Sequence, residues 1–103
     1  MKHVTYGEKS LLVGDEAADL LMSYATVLGR NASTDSVTLR AIGPDGNETD
    51  ATFLLNPSTT MVIESTNGSG SEPDNEFVNE YMRRGINRLT QSFEMRTDDS
   101  LGH

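Results

Sequence analysis

Cysteine is absent from the 103 residues. That excludes a disulfide scaffold, a thiolate metal site and a cysteine nucleophile. Tryptophan is also absent, and there are only 3 prolines. No apolar run approaches the ~18 residues that a membrane-spanning helix requires. Basic residues are few: 8 against 16 acids give a net charge of −8. Such a field repels phosphate backbones and anionic bilayers, so neither nucleic acid nor membrane is an expected partner. The first residues, MKHVTYGEKSLLVG, lack the 7–15-residue apolar core of a secretory signal, and a cytoplasmic location is the expectation. Three Asn-X-Ser/Thr triplets, at Asn31, Asn47 and Asn67, are then composition and not glycosylation sites.

What remains has the size of one domain. The apolar fraction is 35% and the mean hydropathy −0.46, so the core is small and the surface polar. Residues 3–6 and 10–13 are two short β-prone runs. They are joined either by a turn at Gly7-Glu8, where glycine suits a type II′ hairpin, or by a loop at Glu8-Lys9. Both registers place Val4, Tyr6, Leu11 and Val13 on one face. Gly14-Asp15 opens a helix, with Asp15 as a candidate cap. Ala17, Leu20, Leu21, Tyr24, Val27 and Leu28 form its apolar stripe, and Gly29 to Asn31 its stop.

Residues 36–55, SVTLRAIGPDGNETDATFLL, read as a hairpin. Pro44 fits the second position of a type I turn, and Gly46 the left-handed residue that closes it. Pairing Gly43 with Asn47 sets Leu39 against Ala51, Val37 against Phe53 and Ala41 against Thr49. The other face then matches Arg40 with Asp50 and Thr38 with Thr52. A one-residue slip destroys both matches. Residues 60–65 read as a third strand of this meander, with Met61 and Ile63 inward. A second helix is expected over about 74–93, capped by Ser71 or Asp74, with Val78, Met82, Ile86, Leu89 and Phe93 as its apolar stripe. Gly85, in the middle of that helix, marks close packing on the sheet. Residues 94–103 have no apolar period and read as a flexible C-terminal tail. The order ββαβββα predicts an α+β two-layer sandwich, residues 1–93, with an antiparallel sheet and two helices on one face.

Chemistry is sparse. GEKS at Gly7–Ser10 lacks the first glycine and the following helix of a phosphate-binding loop. DGNETD at Asp45–Asp50 sets the oxygen-bearing side chains of Asp45, Asn47 and Thr49 at alternate positions, like the start of a calcium loop. It lacks the glycine at the sixth position and the glutamate at the twelfth of a calcium loop. His3 and His103 have no partners at metal-ligand spacing. No nucleophile motif is present, so no enzyme, metal or cofactor is expected. Arg83, Arg84 and Arg88 gather on the second helix as a solvated face or an anion site. Leu12, Ile42, Leu54 and Val62 project from the outward side of the sheet. They form either a homodimer interface or core misplaced by a wrong strand pairing. The leading expectation is thus a non-enzymatic domain working through protein contacts, by self-association of the outer sheet face. The alternative is a small-molecule pocket between sheet and helices near Tyr6, Tyr24 and Tyr81.

The segments KSLLVGDEAADLL and SVTLRAIGPDGNETDATFLLN, with EPDN at 72–75 as a fainter echo, resemble a small uncharacterised bacterial family of actinobacterial type. The resemblance covers about residues 3–65. It implies a bacterial cytoplasmic domain and assigns no functional residue.

Overall fold

Alternating side chains dictate the sheet, and the computed structural model, which describes residues 1–67 and 70–101 with side chains through Gln91, bears this out. Strands β1 (Lys2–Tyr6) and β2 (Lys9–Val13) form a hairpin, followed by helix α1 (Asp15–Arg30). Strands β3 (Asp35–Ile42) and β4 (Glu48–Leu55) form the second hairpin; β5 (Met61–Ser65) and helix α2 (Glu76–Leu101) complete the chain. The antiparallel sheet has the order β4-β3-β2-β1-β5.

Tyr6 pairs with Lys9, so the first turn is Gly7-Glu8; Gly7 takes φ +62° while Glu8 keeps negative φ, as type II′ requires. In the second hairpin every expected pair forms, including Leu39 with Ala51 and Arg40 with Asp50. The Gly43 N–H donates to the Asn47 carbonyl at 2.9 Å, and Gly46 adopts φ +84°. On the polar face the Thr38 and Thr52 hydroxyls meet at 2.8 Å and Arg40 meets Asp50 at 2.9 Å. On the apolar face Val37, Leu39, Phe53 and Leu55 are buried together with Val4, Leu11 and Val13.

One expectation fails: β5 is not the third strand of the meander. It pairs with β1, Met61 opposite Tyr6 and Ile63 opposite Val4, at the far edge of the sheet. The reason is the roof. α1 rests on β1 and β5 and α2 on β3, so Met61 and Ile63 find cover beneath α1 that no helix offers outside β4. Curvature makes the crossing short. The inward rings of Tyr6 and Phe53, on β1 and β4, stand edge to face with centroids 5.6 Å apart.

The two hairpins are joined at a single bridge, Leu12 with Ile42. Continuing that register sets Ser10 opposite Pro44, which has no N–H to give and lies in the turn. At the other end Gly14 would face Arg40, but there the chain leaves for α1. A side chain takes its place: the Asn75 carboxamide accepts from the Arg40 N–H at 2.7 Å and donates to the Arg40 carbonyl at 2.9 Å.

The helix ends differ from expectation in instructive ways. Asp15 does not cap α1. Gly14 is the N-cap residue without a side-chain bond, and the Asp15 N–H is taken by Glu72 Oε2, 57 residues away, at 3.0 Å. Neither Ser71 nor Pro73 enters α2; Asp74 Oδ1 accepts the Glu76 N–H at 3.0 Å. α1 closes with Ser33 N–H on Leu28 O at 2.9 Å and Ala32 N–H on Gly29 O at 3.2 Å. This Schellman pattern has Ala32 in the left-handed position, φ +52°. α2 continues beyond residue 93 to Leu101. Phe93 falls outside the described side chains, and Gly102 and His103 outside the described residues.

α1 and α2 run parallel on one face of the sheet, their starts joined by the Glu16–Arg83 ion pair and their middles by Tyr24 and Gly85. A Cβ at Gly85 would stand 2.6 Å from Tyr24 Cε1. Gly85 therefore marks close packing against α1, not against the sheet. Among the described residues no helix is long and apolar enough to cross a membrane.

Candidate functional site

The outward apolar residues do not meet as one patch. Leu12 and Ile42 are neighbours on the seam and half-buried, flanked by His3 and Glu48. Leu54, 57% exposed, lies beside Ser36. That is six residues along β3 from Ile42, about 20 Å at ~3.4 Å per residue. The Arg40–Asp50 ion pair and the Thr38–Thr52 pair fill the interval. Val62, 45% exposed, neighbours Thr5 on the opposite edge. These residues belong to the outer face, as the alternation predicts, but polar pairs divide them.

The three tyrosines are also divided. Tyr24 and Tyr81 stand edge to face, centroids 6.1 Å apart, and share one carboxylate oxygen. Both hydroxyls donate to Asp35 Oδ2, Tyr81 at 2.6 Å, while Asp35 Oδ1 accepts the Ser36 N–H at 2.8 Å. Burial pushes the Asp35 pKa up, but the two phenols, the Ser36 N–H and nearby Arg88 outweigh it, and the carboxyl lies below its ordinary value. Burial, then the bond to Asp35, drives the Tyr24 hydroxyl far above the usual phenol value; the bond to Asp35 raises Tyr81 as well. This triad ties α1, α2 and the start of β3 together. The residue pattern alone puts Asp35 in a loop, for an aspartate before a strand carries no signal of the two phenols that reach it.

The arginines separate too. Arg83 turns toward α1 and Glu16, whereas Arg84 pairs with Glu80 at 3.3 Å and Arg88 lies near Asp35 on the opposite flank.

Tyr6 stands elsewhere, at the hairpin tips. No described helix residue reaches the inner face of the sheet there, and a cleft of about 660 Å³ remains. Its floor is Tyr6, Leu11, Ala51 and Phe53; Lys9, Pro44, Asp45 and Thr49 stand at its rim. The geometry follows from the sequence. Pro44 ends the β2–β3 ladder, so the two tips splay, and the inward positions there are apolar but unroofed. Tyr6 also borders a smaller hollow of about 250 Å³ beneath Met22, Ala25 and Met61. Its hydroxyl is buried and has no hydrogen-bond partner among the described residues. A buried polar atom left unpaired is uncommon enough to require an account. Among the described residues Lys9 joins no ion pair, which leaves a free cation at the rim of an acidic protein.

Among the described residues no group of three or more His, Asp or Glu is placed to hold a metal ion. Searches against known protein families, curated proteins and solved structures yield no match for this chain. The site is therefore read from its own chemistry.

Proposed function

We propose that the protein is a non-enzymatic, cytoplasmic binding module whose ligand occupies the cleft between the hairpin tips. One observation carries the reading: a concavity of about 660 Å³, floored by apolar side chains, with Lys9 at its rim and in no ion pair among the described residues. That volume lies within the ~300–1,000 Å³ of small-molecule sites. Tyr6, Leu11, Ala51 and Phe53 offer a surface for a flat or branched apolar body. Lys9 offers a charge for an anionic end group. The ligand class is a small carboxylate with an apolar body. A thermal-shift screen of aromatic and branched carboxylic acids tests this. A ligand at 100 times its Kd should add ~2.7 kcal/mol of stability, and Ala51→Phe, which fills the cleft, should abolish the shift. A flat screen, or a shift that survives Ala51→Phe, overturns the reading.

A second reading, homodimerisation through the outer sheet face, is favoured by the exposure of Leu54 and Val62. Their separation by polar pairs weighs against it. Sedimentation of Leu54→Glu and Val62→Glu decides: a wild-type dimer that these changes dissociate supports the outer face.

A further inference from the structure

One exposed flank of α2, bordering Asp35 of β3, carries a second surface independent of the cleft. Phe77 is 95% exposed and Tyr81 47%. With Arg84 and Arg88 they occupy a lane about 60° wide at ~100° per residue, roughly a quarter-turn around the helix from the stripe of Val78, Met82 and Gly85. A groove of about 450 Å³ runs beside the lane, lined by Asp74, Glu76, Phe77, Glu80, Tyr81 and Arg84. The lane is polar end to end. Acids and Phe77 lie at its start, Arg84 and Arg88 at its finish.

A second copy of this chain fits that order. In an antiparallel pairing about a two-fold axis, residue i meets j and j meets i. Phe77 then meets Arg88 of the other copy and Tyr81 meets its Arg84, four cation–π contacts in all. The same alignment brings each Arg88 to Asp74 and Glu76, and each Arg84 to Glu80. A parallel pairing would set acids against acids. From Phe77 to Arg88 the helix rises ~17 Å, so the area is modest and the association salt-sensitive. We infer that this exposed flank of α2 is a self-complementary interface that pairs two copies antiparallel through Phe77, Tyr81, Arg84 and Arg88.

Sedimentation equilibrium across 1–500 µM protein, at about 0.05 and 0.5 M salt, tests it. A dimer that weakens at least tenfold at the higher salt is expected. Phe77→Ala should raise its Kd about tenfold or more. Arg88→Glu and Glu76→Arg should each dissociate it, and the double variant, which exchanges the two charges, should restore it. All these positions are exposed, and melting temperatures report folding: Phe77→Ala should leave that of the monomer unchanged, whereas Arg88→Glu, which sets an acid near Asp35, should lower it without unfolding the chain. A wild-type monomer throughout the range, a dimer indifferent to these changes, or a double variant that stays monomeric overturns the inference. A dimer that Leu54→Glu dissociates and Phe77→Ala does not also overturns it, in favour of the outer sheet face.

Discussion

Tyr24 and Tyr6 both point to the inner side of the sheet, yet they live under opposite regimes. At the roofed end, Tyr24 is 1% exposed, its ring sits against Gly85 and its hydroxyl is bound by Asp35. At the hairpin tips, Tyr6 is half-buried beside an open cleft and its hydroxyl has no partner among the described residues. The first end fills the volume around Tyr24 and bonds both phenols there, which is what stability selects, though Asn79 Oδ1 on α2 is likewise buried without a partner among the described residues. The second does neither. A chain that closes one end so completely and leaves the other open has a structural reason for the first. A ligand seated between the hairpin tips would supply a functional reason for the second.

The sharpest way to break the roofed end is at Gly85. An added Cβ would overlap a ring that cannot retreat, because its hydroxyl is anchored on Asp35. Alanine gains ~1 kcal/mol of helix propensity, so overpacking of ~1–3 kcal/mol only partly shows with Gly85→Ala. Gly85→Val adds two more carbons and should cost more than ~3 kcal/mol. Urea denaturation measures both. A neutral Gly85→Val would mean that the helices slide freely, and the contrast between the two ends would be lost.

Next in size is Tyr24→Phe, which removes one donor from the half-buried Asp35 carboxylate and leaves Tyr81 in place. Bonds to charged groups are worth ~1.5–3 kcal/mol; with Tyr81 retained, a loss of ~1–2 kcal/mol is expected. The same triad sets a pH window. Asp35 ionises more readily when folded, so its contribution is present above the ordinary carboxyl value of 3.8 and fades as pH falls through the lowered one. Tyr24 and Tyr81 hold their protons more firmly when folded. Their contribution is present below the ordinary phenol value of 10.0 and fades as pH climbs beyond it. Stability measured from pH 2 to 12 should fall on both sides of a plateau, and Asp35→Asn should flatten the acid slope while leaving the part of the alkaline slope that burial of Tyr24 sets. Unchanged slopes in Asp35→Asn would place the titrating groups elsewhere.

How much of this is legible in the residues depends on the range of each interaction. The β3–β4 register is, because Arg40 with Asp50, Thr38 with Thr52 and Val37 with Phe53 all fall into place from one turn at Pro44–Gly46. The helices are, because their stripes repeat locally. The partner of β5 is not: Met61 and Ile63 show which way they face, while the choice between β4 and β1 is made by α1 above them. The caps escape for the same reason, as Glu72 serves α1 and Asn75 serves β3 across the fold. Of the candidate sites, the outer face can be foreseen as a face but not as an interrupted one. The cleft is foreshadowed only through Tyr6. Nothing in the run TDATF announces that Phe53 will stand against a tyrosine three strands away.

The smallest effect makes the finest test of the comparison. Tyr6→Phe deletes the same hydroxyl as Tyr24→Phe, but there the oxygen is buried with no partner among the described residues to lose. Leaving a buried polar group unsatisfied costs ~1–3 kcal/mol, and removing that group returns whatever part water does not already recover. The ring stays, so its edge-to-face contact with Phe53 stays. Tyr6→Phe should therefore be neutral or stabilising by up to ~1 kcal/mol, opposite in sign to Tyr24→Phe. Equilibrium denaturation of the two single variants in one buffer measures the sign. Equal losses at Tyr6 and Tyr24 would mean that the Tyr6 hydroxyl has a partner of its own, and the tips would then be as finished as the roofed end.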